Sequence, residues 1–220
     1  MFKVHAIHAG NRDLYSDAIE QHHRIRHDIY VGERRWMELA RPDGREIDQF
    51  DTDDAVYLLG IETDGRVVAG SRLMPTHRPH LLNDVFPQLA NVRGVPRAPD
   101  IFEWTRIFVV PRLRESGRLG KSAGIVYCAI LEYCLERQIR QLSVVCEPYW
   151  LPRFSGLNLR PRALGLPIEH DGMSVVAVTL DVTAAALAST REVYDIRTPA
   201  LVGERAAPRR RPAPRPLVLQ

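Results

Sequence analysis

The chain has 220 residues, of which 45% are apolar and 26% are charged. This composition is typical of one globular domain with its own core, and it excludes a disordered protein, a collagen-like fibre and a disulfide-stapled miniprotein. The net charge is +3, but residues 205–220 contain five arginines and no acidic residue. The rest of the chain is therefore slightly acidic, and no nucleic-acid partner is predicted.

The cysteines and the apolar segments indicate where the protein works. Cys128, Cys134 and Cys146 lie in apolar stretches, and an odd number of such thiols is typical of a reduced protein. The N-terminus lacks the apolar segment of a signal peptide. The longest apolar run, residues 175–188, is interrupted by Asp181 and is shorter than the ~20 residues of a membrane span. We expect a soluble cytoplasmic protein without a membrane partner.

Hydrophobic periodicity and turn residues predict one α/β domain over residues 1–204 and a disordered Arg/Pro-rich tail over 205–220. Asp64 and Gly65 between two β-rich segments are a strong hairpin signal. A long amphipathic helix between two apolar strands predicts a parallel pair with a right-handed crossover. In chain order, strands are predicted at 2–7, 55–62, 66–74, 101–110, 141–146 and 175–182, and helices at about 14–33, 81–86, 119–140 and 184–193.

Two patterns that often carry chemistry are weak in this sequence. Residues 117–122 resemble a phosphate-binding loop, but Glu115 stands at the position of its first glycine, which excludes a nucleotide triphosphatase. The glycines and basic residues before the following helix leave two interpretations open, a pyrophosphate or phosphopantetheine site and a solvated basic loop. These basic residues are Arg112, Arg114 and Arg118.

No metal site and no covalent nucleophile are predicted. His22, His23 and His27 lie on the first predicted helix without a carboxylate or cysteine at a matching ligand spacing. No serine or cysteine occupies a nucleophile elbow, so acyl-enzyme chemistry has no visible carrier.

Charged residues interrupt segments that are otherwise apolar. Arg72 lies in one predicted strand, and Glu103 and Arg106 lie in another. An unpaired buried charge costs on the order of several kcal/mol, so these residues need partners. The resulting network is either structural or a binding site for a zwitterion. The acidic residues available as partners are Glu46, Asp48 and Asp51.

The parity of one strand makes a further prediction. Glu103 and Arg106 fall on opposite faces of a regular strand, because successive side chains alternate. If both residues serve one site, a bulge or a splay must lie between them.

An ordered series of motifs surrounds these charges. Arg26, Tyr30 and Trp36 are followed by Glu46-Ile-Asp48-Gln-Phe-Asp51, Ser71-Arg72-Leu-Met-Pro-Thr, Leu82-Asn-Asp-Val-Phe86-Pro and Glu103-Trp-Thr-Arg106. At these residues the sequence resembles the acyl-homoserine-lactone synthases, the LuxI-type family that makes quorum-sensing signals. The resemblance is strong from about residue 26 to residue 106 and weaker to about residue 195. Tyr30 stands where the family usually has Phe, and Trp104 stands where an aliphatic residue is commoner.

The resemblance implies an acetyltransferase-like (GNAT-like) α/β fold, with a mixed, splayed central sheet flanked by helices in a single domain. It implies an acyltransferase whose substrates are S-adenosylmethionine and an acyl thioester, and which needs no cofactor and no metal. Trp104 and the run from Trp150 to Phe154 resemble members that use short branched or aryl acyl-CoA thioesters, isovaleryl-CoA among them. Acyl-CoA is therefore favoured over acyl carrier protein as the donor.

The resemblance also implies roles for individual residues, with Glu103 as the base and Asp48 and Arg72 completing the catalytic set. Arg26 and Arg106 are expected to orient the carboxylate of S-adenosylmethionine, and the acidic cluster to offset its positive charges. The residues expected to bind S-adenosylmethionine are Arg26, Tyr30, Trp36, Glu46, Asp51, Phe86, Thr105 and Arg106. Those expected to form the acyl pocket are Trp104, Ser143, Tyr149 and Trp150, although ordinary core packing is an equal alternative for these aromatic rings.

Two other functions remain open from the sequence. A GNAT-like N-acyltransferase acting on another amine would transfer an acyl group without releasing methylthioadenosine. A non-enzymatic binding protein would act through its basic tail, and binding would then be sensitive to salt.

Overall fold

The computed structural model describes residues 2–115 and 120–203. Arg118 and the predicted tail at 205–220 lie outside the described residues. Among those that are described, no helix is long and apolar enough to cross a membrane. The three cysteines are free and buried.

The core of the described structure is a mixed sheet of eight strands in the order β1-β2-β3-β4-β5-β8-β6, with β7 paired to β8. Only β4 and β5 run parallel, as the strand–helix–strand pattern predicts, and the other pairs are antiparallel. The strands are β1 Lys3–Ile7, β2 Val56–Ile61, β3 Val67–Pro75, β4 Ile101–Val109, β5 Gln141–Cys146, β6 Arg162–Ala163, β7 Ile168–His170 and β8 Met173–Asp181.

Helices cover both faces of the sheet. On β2, Leu58 belongs to the apolar cluster that contains α3, whereas Tyr57 and Leu59 belong to the cluster that contains Ala18 of α1. This alternation is the period-2 pattern of a strand that is buried on both sides. The helices are α1 Ser16–Arg26, which continues as a π-helix over His27–Glu33, α2 Leu81–Asp84, α3 Lys121–Glu136, α4 Leu151–Gly156 and α5 Ala184–Val193.

The predicted bulge is present in β4. Arg106 has a φ of 53°, and the register between β3 and β4 shifts opposite it. Trp104 packs on the α3 side of the sheet and Phe108 on the α1 side, although a regular strand would place both on one face. The bulge therefore turns Arg106 toward the α1 side, where Thr105 already lies.

The sheet also splays between its two parallel strands. β4 and β5 pair only where Ile101–Glu103 lies opposite Gln141–Ser143, and the two strands do not pair beyond this point. The ends of the two strands thus form the sides of an open wedge in the middle of the sheet.

The predicted element types are confirmed, while several boundaries differ. The first helix begins two residues later than predicted and changes to π geometry at His27, and α3 ends at Glu136 instead of residue 140. The strands β6 and β7 and the helix α4 were not predicted. β6 and β7 are only two and three residues long, and their pairing with β8 defines them.

Candidate functional site

The predicted ion network exists as one connected group of side chains on the α1 side of the wedge. Each of its three arginines contacts at least two of its three carboxylates. Its members are Arg26, Arg72 and Arg106 with Glu46, Asp48 and Asp51.

Arg26 forms the buried base of this network. Its Nη1 and Nη2 donate to Oδ1 and Oδ2 of Asp51 at 2.7 and 3.0 Å, and its Nε donates to Glu46. Its side chain is fully buried, as are those of Asp51 and Glu46 to within 1%. Tyr57 donates from its hydroxyl to Asp51 at 2.9 Å. Arg26 and Asp51 are thus fully paired with each other one layer below the protein surface.

Arg72 connects this base to Asp48. Its Nη1 and Nη2 donate to the two carboxylate oxygens of Asp48 at 2.6 and 2.9 Å, a bidentate pair. Its Nε donates to the hydroxyl of Thr105 at 3.2 Å, and its Nη1 lies 2.9 Å from Oδ1 of Asp51. Asp48 is held in one orientation by these contacts.

Arg106 completes the network from the bulge in β4. Its Nη2 donates to Oε1 of Glu46 at 3.1 Å and to Oδ2 of Asp48 at 2.9 Å, and its Nε donates to Glu46 at 3.1 Å. Arg106 and Asp48 keep 9% and 15% of their side-chain surface exposed. They are the two members of the network that line the neighbouring cavity.

Opposing influences act on the carboxyl groups. Burial raises the pKa of Asp51, but the charges of Arg72 and Arg26 outweigh it and hold this pKa well below its ordinary value. Burial also raises the pKa of Glu46, but Arg106 and Arg26 outweigh it, and this pKa is lowered as well. Both groups are therefore ionised at neutral pH, which the buried arginines require.

A cavity of about 530 Å³ fills the wedge between β4 and β5. Residues 104–107 of β4 form one side of it and residues 144–147 the other, so the cavity begins where the strands stop pairing. Its polar floor is formed by Asp48, Thr105 and Arg106, and its aromatic walls by Tyr30, Trp36, Phe86, Trp104, Tyr127, Trp150 and Phe154.

Four side chains form a continuous stack along one wall. The guanidinium of Arg106 lies 5.5 Å from the ring centre of Tyr30, and Tyr30 stacks on Trp36 at 5.3 Å and 13°. Arg34 lies over the other end, 5.5 Å from the ring centre of Trp36. The hydroxyl of Tyr30 donates to the carbonyl oxygen of Ile107 at 2.9 Å, which supplies the partner that a buried Tyr needs.

Glu103 lies beside the cavity and is not part of its wall. Its two oxygens accept hydrogen bonds from the backbone N–H groups of Leu81 and Leu82, at 2.9 and 2.6 Å, at the start of α2. The side chain is fully buried, and burial raises its pKa even though these two N–H groups oppose the shift. The acidic cluster therefore pairs with the buried arginines, as we expected. Glu103 instead binds the backbone N–H groups at the start of α2.

The residues predicted for the acyl pocket divide into two groups. Trp104 and Trp150 line the cavity. Ser143 is fully buried and lies in the last paired row of β5, opposite Glu103, so it precedes the point where the cavity opens. Tyr149 is 66% exposed in the turn before α4, so it does not lie in the pocket wall, where we expected it.

Several cavity residues were missed in the sequence. Tyr127 faces the cavity from α3 and Phe154 from α4, and both contact the ring of Trp104, at 5.6 and 6.1 Å. The position of Tyr127 on a predicted amphipathic helix indicates burial, but burial alone does not reveal a cavity. His170, at the tip of the β7–β8 hairpin, lines the cavity and packs perpendicular to the ring of Phe86, with 5.0 Å between the ring centres. No signal in the sequence indicates this last contact.

The basic loop after β4 has partners of its own. Arg112 pairs with Glu62 at 2.5 Å, and Arg114 pairs with Glu33 at 2.6 Å. Arg118 lies outside the described residues, so the choice between a phosphate site and a solvated loop stays a prediction.

Comparison with known proteins identifies the family. A family model described as autoinducer synthase matches residues 11–189, most of the chain. The chain belongs to the autoinducer synthase family. The sequence-based prediction of an acyl-homoserine-lactone synthase, an acyltransferase, is thereby confirmed.

Individual members of the family are similar in sequence and in structure. The isovaleryl-homoserine lactone synthase of Bradyrhizobium diazoefficiens is 48% identical over 179 residues, which cover 81% of this chain and 80% of the relative. The structure of BjaI, a CoA-dependent acyl-homoserine lactone synthase with SAM and isopentyl-CoA, superposes with a TM-score of 0.87 at 42% identity, covering 95% of each chain. An acyl-CoA N-acyltransferase from Pseudomonas aeruginosa, 11% identical with a TM-score of 0.55 over 83% of this chain and 100% of that chain, shares the fold alone. The predicted GNAT-like fold of this autoinducer synthase is thus confirmed.

Proposed function

We propose that this autoinducer synthase transfers a short branched acyl group from coenzyme A, isovaleryl in the first place, to the amine of S-adenosylmethionine and closes the product to an acyl-homoserine lactone. The observation that carries the proposal is a single cavity with a polar floor, to which Asp48 and Arg106 belong, and aromatic walls. The 48% identity to an isovaleryl-homoserine lactone synthase supports the choice of acyl group.

The first step is acyl transfer. The neutral amine nitrogen attacks the thioester carbonyl, so a C–N bond forms, the C–S bond breaks, and coenzyme A leaves as the thiol. The amine proton needs an acceptor, and we assign this role to Glu103, because its raised pKa makes it a stronger base than an ordinary carboxylate. Because Glu103 does not line the cavity, a bridging water is required to carry the proton.

The second step is lactone formation. A carboxylate oxygen attacks the γ-carbon, its C–O bond forms, and the bond from that carbon to the sulfonium breaks. The electron pair stays on sulfur, so methylthioadenosine leaves as a neutral thioether. The reaction is intramolecular and involves no change of oxidation state that would need a cofactor, so the protein mainly has to hold the substrate in the reactive conformation.

The ion network supplies the groups that would hold the amino-acid end. We assign Arg106 to the carboxylate of S-adenosylmethionine and Asp48 to offsetting the ammonium and the sulfonium. Arg72 fixes Asp48 through its bidentate pair. Arg26, which we expected to contact the carboxylate, is occupied by Asp51 and Glu46, so we assign it and these two partners to positioning Arg106 and Asp48.

The aromatic walls separate the two substrates. Trp36, Phe86, Trp104 and Trp150 all line the cavity. We assign Trp36 and Phe86 to the adenosyl group, and Trp104 and Trp150 to the acyl end. Behind Trp104 lies a second, much smaller hollow of about 10 Å³ within the apolar core. Trp104 therefore closes the acyl end, which favours a short chain and makes this residue the limit of acyl length.

The proposed partners are small molecules. We assign no role to a nucleic acid or a membrane, and we place the reaction in the cytoplasm, in keeping with the three buried free thiols. Coenzyme A is preferred over acyl carrier protein as the donor because the similar BjaI is described as CoA-dependent.

Product analysis tests this function. The purified protein is given S-adenosylmethionine with an equimolar set of straight, branched and aryl acyl-CoA thioesters, and the products are identified by mass spectrometry. We expect isovaleryl-homoserine lactone, with free coenzyme A and methylthioadenosine in equal amounts. An acylated amine formed without methylthioadenosine would contradict the proposal and favour an N-acyltransferase of another kind. A parallel reaction with isovaleryl-acyl carrier protein distinguishes the two donors.

A further inference from the structure

Two consecutive residues, Glu33 and Arg34, connect the sides of the wedge. Glu33 accepts a hydrogen bond from Nη1 of Arg114 at 2.6 Å, and Nε of Arg114 donates to the carbonyl of Val109, the last residue of β4. Arg34 extends the other way, with its Nη1 3.8 Å from Oε1 of Glu147, the residue that follows β5. The end of the π-helix thus spans the gap between two strands that no longer pair.

Arg34 and Glu147 both line the cavity. Arg34 is the outer end of the stack that begins at Arg106 and passes through Tyr30 and Trp36. Its side chain is 43% exposed, whereas that of Arg106 is 9% exposed. The Arg34–Glu147 pair therefore lies at the mouth of the cavity, and the ion network lies at its floor.

The two attachments of this crossing differ in the number and length of their contacts. On the β4 side, Arg114 makes two short hydrogen bonds. On the β5 side there is a single ion pair at 3.8 Å between side chains that are 43% and 23% exposed. A pair this exposed and this long is weak, so thermal motion opens it readily. The Arg114–Glu33 pair is as exposed, but Arg114 is also held by the carbonyl of Val109.

The backbone next to the pair has an unusual geometry. A π-helix precedes Arg34, and Arg35, with a φ of 62°, adopts the left-handed conformation that non-glycine residues rarely occupy. Strained geometry of this kind is often found where a segment has two arrangements.

We propose that the Arg34–Glu147 ion pair is a gate at the mouth of the wedge, and that the acyl donor enters there because Glu147 begins the turn that carries Trp150 of the acyl end. The gate opens to admit the acyl-pantetheine arm and closes behind it, with Arg114 as the fixed attachment and Glu147 as the release point. The pair then slows escape of the donor before the amine attacks. This inference rests on the proposed function for the identity of the donor.

The test follows release of isovaleryl-CoA by stopped-flow tryptophan fluorescence. The three tryptophans of the chain, Trp36, Trp104 and Trp150, all line the cavity and report its occupancy. Glu147→Gln removes one charge and leaves Arg34 on Trp36. We expect release to be about 3- to 5-fold faster, the effect of losing an ion pair of this exposure.

The charge-swapped variant Arg34→Glu/Glu147→Arg restores the pair in reverse, and we expect its release rate to return to within about twofold of wild type. Arg162→Gln is the matched control, because Arg162 pairs with Asp181 at similar exposures of 52% and 21% and does not line the cavity. The KM for isovaleryl-CoA should rise in Glu147→Gln, while the KM for S-adenosylmethionine stays unchanged.

Release from Glu147→Gln at the wild-type rate would overturn the gate, as would a swapped pair that releases the donor as fast as the single variant. Failure of the proposed function looks different, because wild-type protein would then show no saturable fluorescence change with isovaleryl-CoA. That result would contradict both the proposed acyl donor and the gate.

Discussion

Nη2 of Arg106 lies 2.9 Å from Oδ2 of Asp48 at the point where the buried ion network reaches the cavity. The bulge at Arg106 makes this contact possible, because without it the side chain would face the α3 side of the sheet. A charged ligand entering the cavity meets this acid–base pair, while Arg26 and Asp51 hold the pair from below.

Asp48→Asn tests whether this pair binds the amino-acid end of S-adenosylmethionine. The substitution removes the charge that offsets the ammonium, and we expect the KM for S-adenosylmethionine to rise at least about tenfold with little change in the KM for isovaleryl-CoA. Steady-state kinetics with each substrate varied measures the split. Asp53→Asn is the control, since Asp53 is 88% exposed and pairs with Arg12. Equal rises in both KM values would contradict the assignment.

Glu103→Gln tests the proposed base. An amide cannot accept the amine proton, and we expect kcat to fall by about 100-fold or more. The wild-type rate should increase as pH rises through the raised pKa of Glu103, because only the carboxylate is a base, and this dependence should disappear in the variant. Turnover near the wild-type level would show that Glu103 only holds the start of α2.

Trp104→Ala tests the limit on acyl length. Removing the indole joins the cavity to the hollow behind it, and we expect the preference to move toward straight chains longer than isovaleryl. A panel of acyl-CoA thioesters of increasing length measures kcat/KM. Trp150→Ala is the matched control, because Trp150 lines the main cavity and not the second hollow. An unchanged profile in Trp104→Ala would remove Trp104 as the limiting residue.

Asp51→Asn tests the network as a source of stability. The pKa of Asp51 in the folded state lies below its ordinary value of 3.8. Ionised Asp51 therefore contributes fully to the unfolding free energy above pH 3.8, and this contribution is lost as the pH falls through the folded-state pKa. We expect the variant to lose about 3–5 kcal/mol of unfolding free energy at neutral pH and to depend less on pH in the acid range. Urea unfolding measured at several pH values checks both, with Asp53→Asn expected to remain within about 0.5 kcal/mol of wild type.

Deletion of residues 205–220 tests the proposed domain boundary. The cavity and network residues found in the described part of the chain lie between Arg26 and Val175, so we expect the truncated protein to keep its lactone-forming activity. Loss of activity on truncation, together with salt-sensitive binding by the tail alone, would assign a function to the tail.

The ion network was predictable because charges in apolar strands must find partners, and a single acidic cluster was available. The depth at which each arginine of the network lies was not predictable. Arg26 and Arg106 look alike in the sequence, yet one is buried under Asp51 and the other borders the cavity. That difference depends on how the segment at 46–51 packs against α1, which no local pattern encodes.

The cavity wall was only partly predictable for a similar reason. Parity places Ser143 on one face of β5, but only the splay determines that pairing with β4 ends at this residue and that the cavity begins after it. Trp150 lines the cavity, while Tyr149 next to it is exposed. A turn sends neighbouring side chains in different directions, and its geometry is set by packing instead of periodicity.

The most direct test of the account is a crystal structure of the protein with S-adenosylmethionine. We predict that the carboxylate of the ligand lies within hydrogen-bonding distance of Arg106, that its ammonium faces Asp48, and that its adenosyl group contacts Trp36 and Phe86. A ligand bound with its amino-acid end away from Asp48 and Arg106 would contradict the central claim.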